Sequence, residues 1–292
     1  MQDAIIIGKG PAGISAALYL KRAGLDVTVI GKGWGALEKS EKIENYYGLA
    51  QPLEGKALME TGIAQAQALG VPVLTEEVLH IDSGEHFTVK TGTGEYEALA
   101  VLLATGKSRV NIPIKGFEKL RGKGISFCAV CDGFFYRGKP LAVIGSGDYA
   151  ASELHDLMNF TKNITLFTNG APLTATSLPE GLPVVTDKIL EIEGEEKVQA
   201  IVTRAGRQEV EGVFVAIGTA SATDFAAKLG IALEGTNIAV DSSFMTNVEG
   251  LFAAGDCIGG FLQVAKAVSD GAHASVGMSK YIRDKKKNAG VR

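Results

Sequence analysis

The chain has 292 residues with a globular composition, 46% hydrophobic and 21% charged, and a net charge of −4. That balance gives no general attraction to nucleic acid or to an anionic membrane, and no apolar run approaches the ~20 residues of a membrane span. The length predicts about two domains.

The opening MQDAIIIGKG has too short an apolar part, and no basic leader, for a signal peptide. With three cysteines, too few for a secreted disulfide scaffold, this points to a cytoplasmic protein. Thirty-seven glycines imply repeated tight turns and close backbone approaches.

The first element reads as strand, turn, helix, strand. A buried strand covers Ala4–Ile7, Pro11 opens a helix that ends at Gly24, and Asp26–Ile30 resumes as strand. The turn carries Gly8-x-Gly10-x-x-Gly13, a dinucleotide fingerprint in its proper strand-to-helix context. Gly8 permits the turn, Gly10 admits a pyrophosphate and Gly13 lets helix pack on strand, while Pro11 and Ala12 open the helix whose N-terminus faces the phosphates. The acid expected after the second strand, to take a ribose hydroxyl, is absent, since Ile30 is followed by Gly31-Lys32-Gly33.

Residues 72–106 alternate as an antiparallel meander with turns at Ser83-Gly84 and Gly92–Gly94, closing on Ala104-Thr105-Gly106. Next comes Cys128-Ala-Val-Cys131. Two residues between cysteines at a helix start permit a small disulfide and place one sulfur where the helix N-terminus stabilises a thiolate. No second C-x-x-C and no matching histidine argues for zinc, so no metal site is expected. Asp132 could relay the proton that thiol–disulfide exchange needs, or simply cap the helix. Cys257 reads as a small apolar filler.

A second strand–turn–helix follows, with a strand at Leu141–Ile144, a turn at Gly145-x-Gly147-x-x-Ala150, a helix to about Phe160 and a strand at Ile164–Phe167. A second meander closes on Ala216-Ile217-Gly218. The segment NVEGLFAAGDCIGGFLQVAKAV then returns to the style of the first half, offering Gly255 and Asp256 on a turn where an aspartate can take a ribityl hydroxyl. The fold class is α/β: two doubly wound Rossmann-like domains, three-layer ββα in type, the second inserted into the first. The predicted boundaries are 1–112 with 242–292 for the nucleotide domain and 113–241 for the dithiol domain.

The ordered motifs GKGPAG, ATG, CAVCDG, GSGDYA and NVEGLFAAGDC…QV resemble the low-molecular-weight flavoprotein thioredoxin reductases along nearly the whole chain. The resemblance implies FAD in the first domain, thioredoxin as substrate and a homodimer. It gives Cys131 the flavin-facing role, Cys128 the attack on the partner disulfide and Asp132 the acid–base role. It also sets Asn45, Ala104, Thr105, Gly106, Gln263 and Val264 against the flavin.

Members that use NADPH carry an arginine cluster after the second glycine turn, H-R-R-x-x-x-R, whose cations hold the 2′-phosphate. Here the strand ends LFTNGAPLTA, with no basic residue and no acid for a 2′-hydroxyl, and Asp148 sits inside the turn. The second site therefore reads as one that has lost its nucleotide. From Lys107 to Lys139 eight basic residues (Lys107, Arg109, Lys115, Lys119, Arg121, Lys123, Arg137 and Lys139) face only Glu118 and Asp132. That excess is either a solvated face or a dock for an acidic protein. The latter resembles the ferredoxin-dependent flavin thioredoxin reductases, with reduced ferredoxin as donor. The rival readings are an NAD(P)H-dependent reductase, an oxygen-dependent dithiol oxidase and a non-enzymatic flavin sensor.

Overall fold

The computed structural model describes residues 1–107, 112–220 and 222–290. Chain contacts divide them into two compact units, residues up to 107 with those from 222 on, and residues 112–220. No described helix is long and apolar enough to cross a membrane.

The first unit opens with β1 (Gln2–Ile7), whose run of Ala and Ile is buried on both faces, as a central parallel strand requires. Helix α1 (Pro11–Arg22) follows, with Pro11 at its start, and the chain returns in β2 (Val27–Ile30), parallel to β1. Helix α2 (Gly55–Ala68) leads to the short β3 (Val73–Leu74), parallel to β2.

The predicted meander is β4 (Val78–Ser83), β5 (Phe87–Thr91) and β6 (Glu95–Leu103), antiparallel throughout. The sheet order is β3-β2-β1-β6-β5-β4. β6 changes partners along its length: its first residues pair β5, and its last run parallel to β1. Its carboxyl end therefore lies beside that of β1, the edge at which doubly wound sheets bind ligands.

The second unit places the short α3 (Phe117–Leu120) and β7 (Ile125–Ser126) before α4 (Ala129–Asp132). Then come β8 (Leu141–Gly145), α5 (Asp148–Leu157), β9 (Ile164–Phe167) and β10 (Val184–Val185). Helix α5 stops a few residues before the predicted Phe160, and the Phe160 ring lies where a Cβ on Gly133 would sit, 2.6 Å away. A meander of β11 (Ile189–Gly194), β12 (Val198–Thr203) and β13 (Gly206–Glu209) precedes β14 (Gly212–Ala216). The parallel sheet runs β10-β9-β8-β14-β7. Both units are thus Rossmann-like, as the duplicated motif predicts.

From α6 (Ala222–Leu229) the chain is again in the first unit. The sequence reading keeps it in the insert to residue 241. The difference lies in α6, whose buried Phe225 and Ala226 need a covering face; the helix packs on β4. The hairpin β15 (Leu233–Glu234) and β16 (Asn237–Ile238) follows. Strand β17 (Leu251–Ala253) adds to the free side of β6 in parallel, and α7 (Val264–Asn288) lies along α1. The two helices meet closely because Gly271 has no side chain: a Cβ there would sit 2.0 Å from the Ala12 carbonyl oxygen.

Candidate functional site

Three turns converge at the carboxyl ends of the neighbouring strands β1, β6 and β17. Gly8 (φ +116°) leaves β1 so close to β6 that a Cβ would meet the Ala104 oxygen at 2.2 Å, and a Cβ on Gly13 would meet the Gly8 oxygen at 1.9 Å. Before Gly10 there is open space, with nothing within 4 Å of an added Cβ. The opening N–H groups of α1, at Ala12 and Gly13, have no acceptor within the helix. From the β6 side, Thr105 Oγ1 is buried with no hydrogen-bond partner among the described residues, and Gly106 adopts φ +71°. From β17, Gly255 (φ +84°) approaches Ala12, and Asp256 follows it.

This third turn is braced from α7. Asp270 Oδ2 accepts from the Gly255 N–H at 3.1 Å and pairs with Lys266 Nζ at 2.7 Å, while Lys266 also donates to the Gly255 and Gly259 carbonyls. At the start of α7, Gln263 Oε1 accepts from Asn45 Nδ2 at 3.1 Å, and Val264 is the first helical residue. All thirteen residues set against the flavin by the sequence thus lie in one unit. An open glycine cradle, a helix N-terminus and an orphaned hydroxyl beside it fit the pyrophosphate of a dinucleotide.

Sequence reading missed what stands at the end of β2. In place of the absent acid, Glu77, buried and three residues beyond β3, pairs with Lys32 at 2.8 Å. Lys9, whose pKa burial lowers, donates to Thr75 and lies 5.1 Å from the centre of the Trp34 ring. The signal available in the sequence was Glu76-Glu77, one residue past a short strand.

In the second unit Cys128 and Cys131 are disulfide-bonded, with Cα atoms 5.4 Å apart. Cys128 caps α4: its Sγ accepts from the Cys131 N–H at 3.2 Å. Ser126 Oγ accepts from the Cys128 N–H at 3.1 Å and donates to Asp132 Oδ2 at 2.6 Å, tying the acid to the dithiol. Cys128 is buried, 5% exposed, while Cys131 is exposed. The two sulfurs thus differ in access within this unit. Val130, Phe134 and Phe135 are exposed apolar neighbours of Cys131. Cys257 is buried and donates to the Ala254 carbonyl, and burial pushes its thiol pKa up to about 12.

The second glycine turn is covered by its own chain. The carbonyl of Ser146 accepts from the N–H groups of Thr174 and Ala175 at 2.7 and 2.9 Å. Asp148 Oδ1, at the start of α5, accepts from Thr176 N–H and Oγ1 at 2.7 and 2.9 Å. After β9, where an arginine cluster would begin, Asn169 (φ 52°) uses its side chain to accept from the Ile189 N–H.

Much of the basic run is also engaged. Lys115 pairs with Glu191, Lys139 with Glu211, and Lys119 donates to the Gly194 carbonyl. Arg121 and Arg137 lie over Phe127 and Phe134, and Lys107 bonds Asn237. Arg109 lies outside the described residues.

Residues 2–271 match the model of the pyridine nucleotide-disulphide oxidoreductases. The chain belongs to that family of FAD-binding flavoproteins. Within it, the chain is of the thioredoxin reductase type. It is 34% identical over 301 residues to a thioredoxin reductase of Bacillus subtilis, covering 97% of this chain and 95% of that one. Among solved structures it is similar to the atypical thioredoxin reductase TRi from Desulfovibrio vulgaris Hildenborough, with a TM-score of 0.89, 38% identity and coverage of 97% and 99%. It is also similar to a ferredoxin-flavin thioredoxin reductase from Clostridium acetobutylicum, with a TM-score of 0.72, 30% identity and coverage of 97% and 98%.

Proposed function

We propose that the protein reduces the disulfide of thioredoxin through FAD and the Cys128–Cys131 pair, taking electrons from reduced ferredoxin and not from NADPH. One observation carries the choice of donor. The turn where a pyridine nucleotide's pyrophosphate would lie is bridged by residues 174–176, and the start of α5 holds the Asp148 carboxylate in place of a phosphate. An anionic ligand there would have to displace those bonds and sit against a like charge. The similarity to a ferredoxin-flavin enzyme supports the same choice.

Bound FAD supplies the centre that collects single electrons and delivers them in pairs to a disulfide. Gly8, Gly10, Pro11, Ala12 and Gly13 would cradle its pyrophosphate, with Thr105 available to donate beside them. Asp256 would accept from the ribityl chain, and Asn45 and Gln263, with Val264 beside them, would hold the ring system.

Opening the Cys128–Cys131 bond consumes two electrons and two protons. With Cys131 facing the flavin, the Cys128 thiolate attacks one sulfur of the thioredoxin disulfide, and the other partner sulfur leaves. Cys131 then attacks Cys128 Sγ, restoring the internal bond and releasing the second partner thiol. Asp132, held by Ser126, accepts and returns the proton that the dithiol exchanges. Thioredoxin sits near about −270 mV, so a donor of lower potential drives the sequence downhill.

The test is an anaerobic titration of the flavin absorbance. Reduced ferredoxin bleaches it within the mixing time, and excess NADPH or NADH leaves it unchanged. Fast bleaching by NADPH overturns the donor assignment. Rapid oxygen consumption with small dithiols places the protein among the oxidases.

A further inference from the structure

Glu153 lies on α5 and is 1% exposed, yet neither the sequence motifs nor the exchange steps above use it. Its Oε2 accepts from the Ala129 N–H at 2.8 Å, across 24 residues of chain, directly after Cys128. A carboxylate is almost never so buried without paired partners.

The four-residue α4 cannot hold its own shape, because a single helical turn has an unfavourable nucleus. In the oxidised protein the disulfide closes this turn. In the reduced protein that covalent tie is gone, and the bonds of Ser126, the Asp132 N–H to the Cys128 carbonyl, and Glu153 must hold it.

We propose that Glu153 is a positioning residue for the dithiol: it holds the Ala129 peptide in both oxidation states and keeps the Cys131 N–H aimed at Cys128 Sγ. The proposal rests on Cys128 and Cys131 being the redox pair. Its chemical consequence concerns the leaving group. When an incoming thiolate bonds to Cys131 Sγ, the internal S–S bond breaks and its electron pair departs on Cys128 Sγ. The Cys131 N–H, 3.2 Å away, receives that charge. A better-stabilised leaving thiolate speeds exchange.

The experiment follows disulfide opening by dithiothreitol in the flavin-loaded protein, with no thioredoxin or ferredoxin present, so failure of the donor assignment leaves the result intact. The reagent's second thiol expels Cys131 and closes its own disulfide, so electrons and protons balance. Glu153→Met keeps the side-chain length but loses the acceptor, and should open about tenfold more slowly. Glu153→Gln keeps an acceptor and should restore the rate to within about twofold, which a merely space-filling role would not require. In the wild-type protein, the Ala129 amide should stay protected from hydrogen exchange after reduction. Loss of that protection, a folded Glu153→Met opening at the wild-type rate, or Glu153→Gln as slow as Glu153→Met would each overturn the proposal. If Glu153→Met fails to fold, the wild-type exchange measurement decides.

Discussion

Cys128 and Cys131 are three residues apart in sequence but differ in access, because Cys128 faces inward as the cap of α4 while Cys131 faces out. Reduced, flavin-free protein should therefore be alkylated by iodoacetamide at Cys131 at least about tenfold faster than at Cys128, read by mass spectrometry of each peptide. Cys257 should stay unmodified in the folded protein from pH 7 to 9, since its pKa near 12 keeps it a buried thiol throughout.

Thr105 makes the opposite prediction for stability and binding. Thr105→Val removes a buried hydroxyl that has no partner among the described residues, so the flavin-free protein should lose no thermal stability. Flavin affinity should fall about five- to tenfold, as expected for one lost hydrogen bond to the ligand, measured by fluorescence on reconstitution.

The element that steadies the proposed flavin site is the start of α7, its first two turns. Lys266 and Asp270 are mostly buried, one helical turn apart, and together hold Gly255 at its N–H and its carbonyl. Removing the cation strands a buried carboxylate, so Lys266→Met should cost about 3 kcal/mol, seen as a lower unfolding midpoint, and should weaken flavin retention. Asp270→Asn keeps an acceptor for Gly255 and should cost less.

These residues also mark what the sequence could show. Gly8, Gly10 and Gly13 were legible because a fixed spacing after a strand has few alternatives, and C-x-x-C names its own chemistry. Glu77, Glu153, Lys266 and Asp270 were not, because each acts on a segment distant in sequence or on a backbone group that any residue type could offer. The covering of Ser146 and Asp148 by residues 174–176 was likewise invisible. The sequence showed only that arginines were missing, not that the chain itself bridges the turn.

At the scale of the molecule, the basic excess around the dithiol is local. Residues 112–220 carry eleven Lys and Arg against thirteen Asp and Glu, and Glu191 and Glu211 come from outside the basic run to pair with it. A dock for an acidic donor would then rest on the few cations without an acid partner among the described residues, such as Lys123, Arg121 and Arg137. The ferredoxin-dependent rate should fall less than about tenfold from 50 to 300 mM salt, a shallow slope for an electrostatically steered encounter. Lys123→Glu should slow it more than Lys115→Glu.

The position of β17 orders events during synthesis. It pairs with β6, and α7 lies along α1, so the sheet proposed to bind the flavin and its helix cover are completed only by residues emerging after the whole insert. The dithiol unit is contiguous and can close while the first unit still lacks a strand, since domains form largely as their residues leave the ribosome. Cofactor capture is therefore the last act of folding. A nascent chain stalled before Leu251 should carry a protected Cys128 but retain no flavin.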